Sequence, residues 1–564
     1  MPQQVHDMKK QALVEKLEFL YGSRGLELAD RIMEMVKKHT EGRERPAKPW
    51  VTERDVMLIT YGDSIVADGQ PPLAVLHEFL KQYVGDTVSA VHILPFYPYT
   101  SDDGFSVVDY RTVSPALGNW QHIRELSKDY DLMFDAVVNH ISRSSKWFQG
   151  FLQDREPYNQ YFIEADPSLD YSRVTRPRAL PLLTKVETAA GEKYVWTTFS
   201  DDQIDINFAN PNVLLEILDI LLQYTAFGAR FIRLDAIGFL WKKIGTTCMH
   251  LPETHTVVKV MREVLDMAAP GTILITETNV PHEDNISYFG NGYDEAQMVY
   301  QFPLPVLTLF SFLTGNAGKL MDWADRLERT SSGTTFFNFL ASHDGIGMRP
   351  AEGILTEQEK KLLIDQTIAH GGKVSYRDNG DGTKTAYELN INYMDALTGP
   401  EESDDIRIRR FLAAHTILLS VVGVPGIYIH SLFGSRNDYA GLEASGINRR
   451  INREKLQRDK LENELKENPV RKEVFLRLCR LIQIRRTLKA FDPGALQRVV
   501  RLDDRVFAIE RLNEATGDRL LVLVNVSSDA VEVSLPAQGV EVIRNRQVDS
   551  SLTLEPYEYM WISC

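Results

Sequence analysis

Residues 227–239 read FGARFIRLDAIGF, and this stretch predicts a short buried strand that ends in a turn. Its apolar residues are partly β-branched, as strands favour, and a glycine stands near each end of the run. Arg233 and Asp235 are two residues apart, so both side chains point to the same face of a strand. Two buried charges cost free energy unless they compensate each other, so Arg233 is expected to keep Asp235 ionised and oriented. A purely structural ion pair is the alternative interpretation.

The same strand signal recurs along the chain, and segments with helical periodicity separate one strand from the next. Such alternation indicates an α/β fold with a parallel sheet and helices outside it. Together with the stretch above there are eight candidates, which is the strand count of a (β/α)8 or TIM barrel. The other seven candidates are residues 56–60, 88–94, 132–140, 272–277, 297–300, 336–341 and 426–429.

The pattern also divides the chain into regions. The first 50 residues show apolar residues at helical spacing on both sides of two glycines, which predicts an N-terminal helical extension. The barrel is predicted over residues 51–490. The alternation of strands and helices in the barrel is interrupted twice, by an insertion over 142–210 (domain B) and by an excursion over 347–405. An Asp-Pro-Gly breaker precedes alternating strand patterns, so residues 491–564 are predicted to form a C-terminal all-β domain.

The composition is that of a soluble globular protein with an acidic balance. The 564 residues carry a net charge of -15, so no excess of cations is available for general nucleic-acid binding. Cys248, Cys479 and Cys564 are too few and too scattered for a disulfide framework or a zinc site, and no HxH or HExxH spacing indicates another metal. A signal-peptide pattern and an apolar run of membrane-spanning length are both lacking. We expect a cytoplasmic enzyme acting on small molecules, without a metal, a cofactor, a nucleic acid or a membrane as partner; the oligomeric state stays open.

Carboxylates follow three of the predicted strands. Asp235, Glu277 and Asp344 stand at the ends of strands four, five and seven, and catalytic residues of such barrels lie at these ends. Cleavage of a glycosidic bond needs one carboxylate to attack the sugar carbon and one carboxylic acid to protonate the leaving oxygen. Asp235 is the expected nucleophile, Glu277 the acid, and Asp344 a ligand of sugar hydroxyls. His140 and His343 also lie at strand ends, although a lone histidine is more often an ordinary buried residue.

Five motifs carry a resemblance to a known family. In chain order they are DAVVNH (135–140), QIDINF (203–208), FIRLDAIGF (231–239), ITETN (275–279) and SHDGIG (342–347). Together they resemble the α-amylase superfamily, glycoside hydrolase family 13. The resemblance implies a catalytic barrel, an inserted domain B and a terminal β domain, with Asp235 as nucleophile, Glu277 as acid/base and Asp344 as transition-state stabiliser.

Further motifs resemble the sucrose phosphorylase subfamily of that family. They are DDGFSVVDY (102–110), TRPRALPLLT (175–184), GSRNDYAG (434–441) and INRE (451–454). The resemblance implies a glucosyl site formed by Asp102, Phe105, His140, Arg233, His343 and Arg453. For phosphate and acceptor, the candidates are Arg176, Arg178, Tyr387, Glu388 and Arg436.

The resemblance implies a retaining phosphorylase that releases α-D-glucose 1-phosphate by double displacement. The chain departs from sucrose phosphorylase at Tyr387-Glu388, where that enzyme has Tyr-Gln beside the acceptor. Arginines that hold phosphate can also hold a small carboxylate, which suits D-glycerate and fructose 6-phosphate alike. The resemblance of the motifs at 175–184 and 434–441 makes D-glycerate the first choice of acceptor. Fructose 6-phosphate, glycerol and fructose stay open, as do a plain α-glucoside hydrolase and a catalytically inactive amylase-like binding protein.

Overall fold

The computed structural model describes residues 3–42, 48–178, 180–379, 382–536 and 538–563. At its centre, parallel strands close into an eight-stranded barrel, with neighbours in chain order, as the strand–helix alternation predicts. The strands are β1 (Met57–Thr60), β2 (Ala90–Ile93), β3 (Asp131–Ala136), β4 (Ala229–Leu234), β5 (Ile273–Thr276), β6 (Met298–Tyr300), β7 (Thr335–Asn338) and β8 (Val424–Tyr428).

The strand register brings the charged residues of the opening stretch beside those of its neighbours. Arg233 on β4 lies opposite Asp135 on β3 and opposite Ile275 on β5. The barrel strands are buried along nearly their whole length, which explains their almost continuous apolar runs. The polar residues at their carboxyl ends therefore face one common mouth.

Helices surround the barrel. In chain order the longer ones are Pro72–Phe79, Trp120–Asp129, Pro211–Ala226, Pro252–Ala268, Pro303–Thr314, Gly318–Asp325, Asp404–Ser420, Arg458–Glu467 and Pro469–Arg485; His282–Ile286 is a short helix between β5 and β6.

Two antiparallel helices precede the barrel, α1 (Gln3–Tyr21) and α2 (Gly25–Thr40). Both are attached to the barrel helices by polar contacts as well as by apolar packing. Lys16 Nζ lies 2.7 Å from Glu263 Oε2, and His39 Nε2 lies 2.8 Å from Asp219 Oδ1. The extension therefore packs on the outer helices that flank β4, on the side away from the barrel interior.

Two irregular segments rise over the mouth of the barrel. Domain B contains the helix Lys146–Leu152 and the hairpin of Leu183–Thr188 with Gly191–Trp196, and its base is closed where His140–Ser142 pairs with Gln203–Asp205.

The excursion between β7 and β8 contains the helix Glu357–Ala369 and a three-stranded antiparallel sheet. The strands of this sheet are Lys373–Asp378, Lys384–Asn390 and the short Ile346–Gly347. Both the excursion and domain B start directly after a barrel strand, so their residues can reach the same opening.

The C-terminal region is all-β. One sheet contains Leu496–Val499, Val506–Leu512, Arg519–Asn525, Gly539–Glu541, Arg546–Val548 and Tyr559–Ser563, and a second pairs Val531–Ser534 with Ser551–Leu554. Trp561 Nε1 donates to Ser420 Oγ at 2.8 Å and Arg511 Nη1 to the Ser420 carbonyl at 2.7 Å, which fixes this region to a barrel helix. The exact boundaries at residues 50 and 490 stay predictions.

Among the described residues, no helix has the length and apolar character needed to span a membrane. Cys248 and Cys479 are buried free thiols, and Cys564 lies outside the described residues.

A buried lysine ties domain B to the barrel. Lys242 Nζ lies 2.7 Å from Asp205 Oδ2 and 2.9 Å from Asn139 Oδ1, with 4% of the lysine side chain exposed. Replacing Lys242 with Met leaves the buried Asp205 charge uncompensated, which costs about 3 kcal/mol or more. For a chain of 564 residues, we expect this loss to lower the midpoint of thermal unfolding by about 2–3 °C.

Lys243→Met is the matched control for this prediction. Its side chain is 64% exposed and its nearest carboxylate, on Glu253, is 3.8 Å away. Exposed pairs of this kind contribute little, so this variant should unfold at nearly the wild-type temperature. Equal midpoints for the two variants would show that Lys242 does not stabilise the domain junction.

Candidate active site

A deep cavity opens at the carboxyl ends of the barrel strands, between domain B and the excursion. It brings together most residues that the sequence predicts for the site. Those that line it are Asp102, Phe105, His140, Arg178, Arg233, Asp235, Glu277, His343, Asp344, Tyr387 and Glu388. Arg453 lies behind this surface, where its Nε donates to the His343 carbonyl at 2.7 Å.

Arg233 is the centre of the charge network at the base of the cavity. Its Nη1 lies 2.5 Å from Asp135 Oδ1 and 2.9 Å from Asp235 Oδ1, while its Nη2 lies 3.8 Å from Glu277 Oε2. The Asp135 carboxylate is also held by His92 Nε2 at 2.6 Å. The pairing of Arg233 with Asp235 that the sequence predicts is therefore present, and Asp135 shares the same guanidinium.

The chain changes direction sharply just after Asp235. Ala236 has a φ of +48°, in the left-handed region that residues with a Cβ rarely adopt. Its backbone N–H donates to Glu277 Oε2 at 3.3 Å. Local strain of this kind persists where the surrounding structure demands it, and here it directs a backbone donor at the carboxylate of the next strand.

The protonation of Asp235 and Glu277 depends on burial as well as on the Arg233 charge. Burial raises the pKa of Asp235 to about 8, with the Glu277 charge adding to the rise, and Arg233 offsets only part of it. Burial likewise raises the pKa of Glu277, with Asp344 adding to the rise. Arg233 therefore offsets burial only in part, and the coupled pair holds a proton to a higher pH than an ordinary carboxyl does. We assign that proton to Glu277, because only Asp235 has a close charge-assisted hydrogen bond from Arg233.

Asp344 has the opposite electrostatic environment. Burial would raise its pKa, but Arg449, His343 and Arg453 together hold the pKa well below the usual range, so the group stays anionic. Arg449 Nη1 lies 2.8 Å from Asp344 Oδ1. Burial lowers the pKa of His343 to about 3, so its imidazole is neutral, and the ring stacks on Phe105 at 5.0 Å between centroids.

A second group of polar side chains lies on the domain B side of the cavity. Arg178 Nη2 donates to Asp102 Oδ2 at 3.0 Å, and Gln203 Nε2 donates to the same oxygen at 3.2 Å. Burial would raise the pKa of Asp102, but Arg178 and Arg449 lower it below its ordinary value. His140 Nε2 donates to the Phe105 carbonyl at 2.8 Å, which fixes its ring orientation.

Of the three arginines proposed for phosphate and acceptor, one lines the cavity and two do not. Arg178 lines the cavity, where its guanidinium lies 5.5 Å from the Phe199 ring centroid. Arg176 is exposed and donates to the Leu180 carbonyl. Arg436 Nε lies 2.5 Å from Asp395 Oδ1, with 46% of its side chain exposed. Neither Arg176 nor Arg436 belongs to the described residues that line the cavity, because each is turned toward a partner outside it.

Several cavity residues were not identified from the sequence. Arg449 makes a bidentate pair with Glu388, through Nε at 2.9 Å and Nη2 at 2.8 Å, and so links the excursion to Asp344. Two features of the sequence could have identified Arg449: it stands close to the INRE motif (451–454), and other arginines surround it. Other lining residues missed are Gln203 and Asn279, which lie inside quoted motifs, and Arg349 and Arg377, which lie on the excursion.

Two family models match this chain. The alpha amylase catalytic domain matches residues 79–367, and the beta-galactosidase C-terminal domain matches residues 508–560. The chain belongs to the α-amylase family, glycoside hydrolase family 13, as its motifs and barrel indicate.

Two relatives of nearly equal length are glucosylglycerate phosphorylases. The chain is 49% identical to the glucosylglycerate phosphorylase of Allomeiothermus silvanus, over 98% of both chains. It is 46% identical to the glucosylglycerate phosphorylase of Escherichia coli, over 98% of this chain and 100% of that one. The crystal structure of sucrose 6F-phosphate phosphorylase from Thermoanaerobacter thermosaccharolyticum matches with a TM-score of 0.73 at 25% identity, covering 90% of this chain and 98% of that chain.

Proposed function

We propose that this protein is a retaining disaccharide phosphorylase that interconverts 2-O-α-glucosylglycerate and phosphate with α-D-glucose 1-phosphate and D-glycerate. The observation that carries the proposal is the near-full-length similarity to two glucosylglycerate phosphorylases, in a chain whose cavity retains all three carboxylates. The reaction class is a hexosyl transfer to phosphate. The cysteine content and acidic balance support a cytoplasmic location.

In the first half-reaction the Asp235 carboxylate attacks the anomeric carbon of the glucosyl group. The bond from that carbon to the glycerate oxygen breaks, and the Glu277 proton passes to the leaving oxygen. A β-glucosyl ester of Asp235 results. Arg233 contributes by orienting Asp235, and the anionic Asp344 stabilises positive charge as it develops on the sugar ring.

In the second half-reaction a phosphate oxygen attacks the same carbon from the side that glycerate has left. Glu277, now a carboxylate, accepts the proton of the incoming phosphate, and the Asp235 ester bond breaks. Two inversions give net retention, so the product is α-D-glucose 1-phosphate. Transfer to phosphate rather than water is favoured by a cation in the cavity, and we assign this role to Arg178 because its side chain lines the cavity.

Buried polar atoms in the cavity support the binding of a hydroxyl-rich substrate. His343 Nδ1 and Asn279 Oδ1 are buried without a hydrogen-bond partner among the described residues. Leaving such atoms unpaired costs roughly 1–3 kcal/mol each, and sugar or glycerate hydroxyls would supply the missing partners. Asp102 and His140, with Arg453 behind them, complete the proposed glucosyl site.

The test is synthesis from α-glucose 1-phosphate, with phosphate release measured for D-glycerate, glycerol, fructose and fructose 6-phosphate at equal concentration. We expect release to be fastest with D-glycerate. Glycerol lacks the carboxylate, so cations that should pair with the acceptor would stay unpaired. Faster transfer to glycerol or fructose 6-phosphate would contradict the substrate assignment. Phosphate release at the same rate with and without an acceptor would indicate a hydrolase.

Arg178→Ala should shift the fate of the glucosyl intermediate from phosphate toward water. Loss of charge-assisted hydrogen bonds to phosphate predicts a fall of roughly tenfold or more in the ratio of phosphorolysis to hydrolysis. The ratio is measured from α-glucose 1-phosphate and free glucose formed in the same reaction. Arg176→Ala is the matched comparison from the same loop; an unchanged ratio in both variants would contradict the assignment of phosphate to this loop.

A further inference from the structure

The arginines that line the cavity differ in whether a carboxylate neutralises their charge. Arg178 pairs with Asp102, Arg233 pairs with Asp135 and Asp235, and Arg449 pairs with Asp344 and Glu388.

Arg349 and Arg377 also line the cavity, but within the described part of the chain neither side chain forms an ion pair or a hydrogen bond. Both are partly buried, so solvent compensates them less than it would on an open surface.

These two arginines lie on the excursion side of the cavity. Arg349 follows Asp344 by five residues, just after the short strand Ile346–Gly347. Arg377 pairs in register with Thr385, on the hairpin that also carries Tyr387. Both therefore belong to the excursion and not to domain B, which carries Arg178.

Asn279 lies close to the acid/base residue in the chain and to the start of the excursion in space. It stands two residues after Glu277, and its amide lies beside Gly347, where an added Cβ would come 3.2 Å from Asn279 Nδ2. The Asn279 Oδ1 atom is buried and has no hydrogen-bond partner among the described residues. A hydroxyl donor that approaches Glu277 from the excursion side would find an acceptor here.

Arg349 has two carboxylates and Arg377 in its electrostatic surroundings, but no carboxylate of the described residues lies within ion-pair distance of it. Burial lowers the pKa of Arg349; Glu352 raises it, Arg377 lowers it and Asp284 raises it. Glu352 is exposed and does not form an ion pair with either arginine. Two neighbouring guanidinium groups without a bound carboxylate repel each other, and an anionic ligand would reverse that cost.

On the basis of the proposed function, we propose that Arg349 and Arg377 form a carboxylate subsite for the acceptor, separate from the phosphate position at Arg178. In this subsite the D-glycerate carboxylate lies on the two guanidinium groups. A glycerate hydroxyl donates to Asn279 Oδ1, and the reacting oxygen faces Glu277. Phosphate and acceptor thus approach the same carbon while their charges are held by different segments of the chain.

The test measures the apparent KM for each partner of the glucosyl enzyme in Arg349→Ala, Arg377→Ala and Arg349→Lys. We expect each Ala variant to raise the KM for D-glycerate roughly tenfold or more, while the KM for inorganic phosphate changes less than about twofold. Arg349→Lys keeps the positive charge but lacks the planar guanidinium group. The KM of this variant for D-glycerate should therefore lie between those of the wild type and Arg349→Ala. Lys373→Ala is the control, because Lys373 is an exposed cation on the same strand as Arg377.

The outcomes separate this inference from the proposed function. An unchanged KM for D-glycerate in both Ala variants, with a wild type that uses D-glycerate, overturns the subsite alone. A raised KM for phosphate with an unchanged KM for D-glycerate also overturns it and assigns these arginines to phosphate. A wild type that fails to transfer glucose to D-glycerate contradicts the proposed function itself, and the subsite falls with it.

Discussion

Asp235→Asn is expected to lower turnover by on the order of 10⁴-fold or more, in phosphorolysis and in synthesis alike. The amide cannot form the ester intermediate, and both half-reactions pass through that intermediate. Arg233 also loses one of its two close carboxylate partners, since its Nη1 lies 2.9 Å from Asp235 Oδ1. The measurement is the rate of phosphate release from α-glucose 1-phosphate, together with exchange of labelled phosphate into that compound in the absence of acceptor.

Asp365→Asn is the matched control for this change. Asp365 lies on the excursion helix, 55% exposed, with its carboxylate 2.6 Å from Lys361 Nζ. An identical chemical change there should leave both rates near those of wild type. Phosphate exchange that persists in Asp235→Asn would show that another group attacks the anomeric carbon.

Glu277→Gln should affect the two directions unequally. Glycerate leaves as an alkoxide that needs a proton, so cleavage of glucosylglycerate should fall by roughly 10²–10⁴-fold. Phosphate is a much better leaving group, so formation of the glucosyl enzyme from α-glucose 1-phosphate should fall far less. The comparison is phosphorolysis against exchange of labelled phosphate, measured on the same preparation. Equal losses in both assays would contradict the assignment of Glu277 as acid.

The pH profile gives Glu277→Gln a second readout. Burial raises the pKa of Glu277 above its ordinary value, with Asp344 adding to the rise, so Glu277 loses the proton that it gives to the leaving oxygen only as pH rises through this raised value. Wild-type phosphorolysis should therefore decline on the alkaline side of this value, and the variant should lack that decline. Glu283→Gln, an exposed change on a neighbouring helix, should keep the wild-type profile.

The barrel could be predicted because its strands are buried on both faces and its helices are amphipathic. These patterns depend only on local sequence, and all eight strand candidates correspond to strands of the closed barrel. Asp235, Glu277 and Asp344 could be placed together for the same reason, since the carboxyl ends of parallel strands meet at one mouth.

The electrostatics of the site could not be predicted in the same way. Arg233 is adjacent to Asp235 in sequence, but the burial and the Glu277 charge that raise the pKa of Asp235 arise only from the assembled barrel. Arg436 stands in a recognisable motif, yet its guanidinium turns to Asp395, a residue 41 positions earlier. Arg349 and Arg377 reach the cavity through an excursion that interrupts the strand–helix alternation, so the barrel pattern does not single them out.

The excursion is one continuous segment of the chain, and this affects how acceptor preference could change during evolution or engineering. Tyr387 and Glu388, like the two unpaired arginines, belong to one continuous segment, residues 347–405, whereas the three carboxylates belong to the barrel framework. That segment can be exchanged as a cassette without altering the atoms that break and form the glycosidic bond. The carboxylate of Glu388 is one of its requirements, because it holds Arg449 against Asp344. Asp395, which pairs with Arg436, and Tyr393, which donates to the Pro305 carbonyl, also attach the segment to the rest of the chain. Transplanted segments that retain these contacts should redirect the enzyme to new acceptors while the bond-breaking residues stay the same.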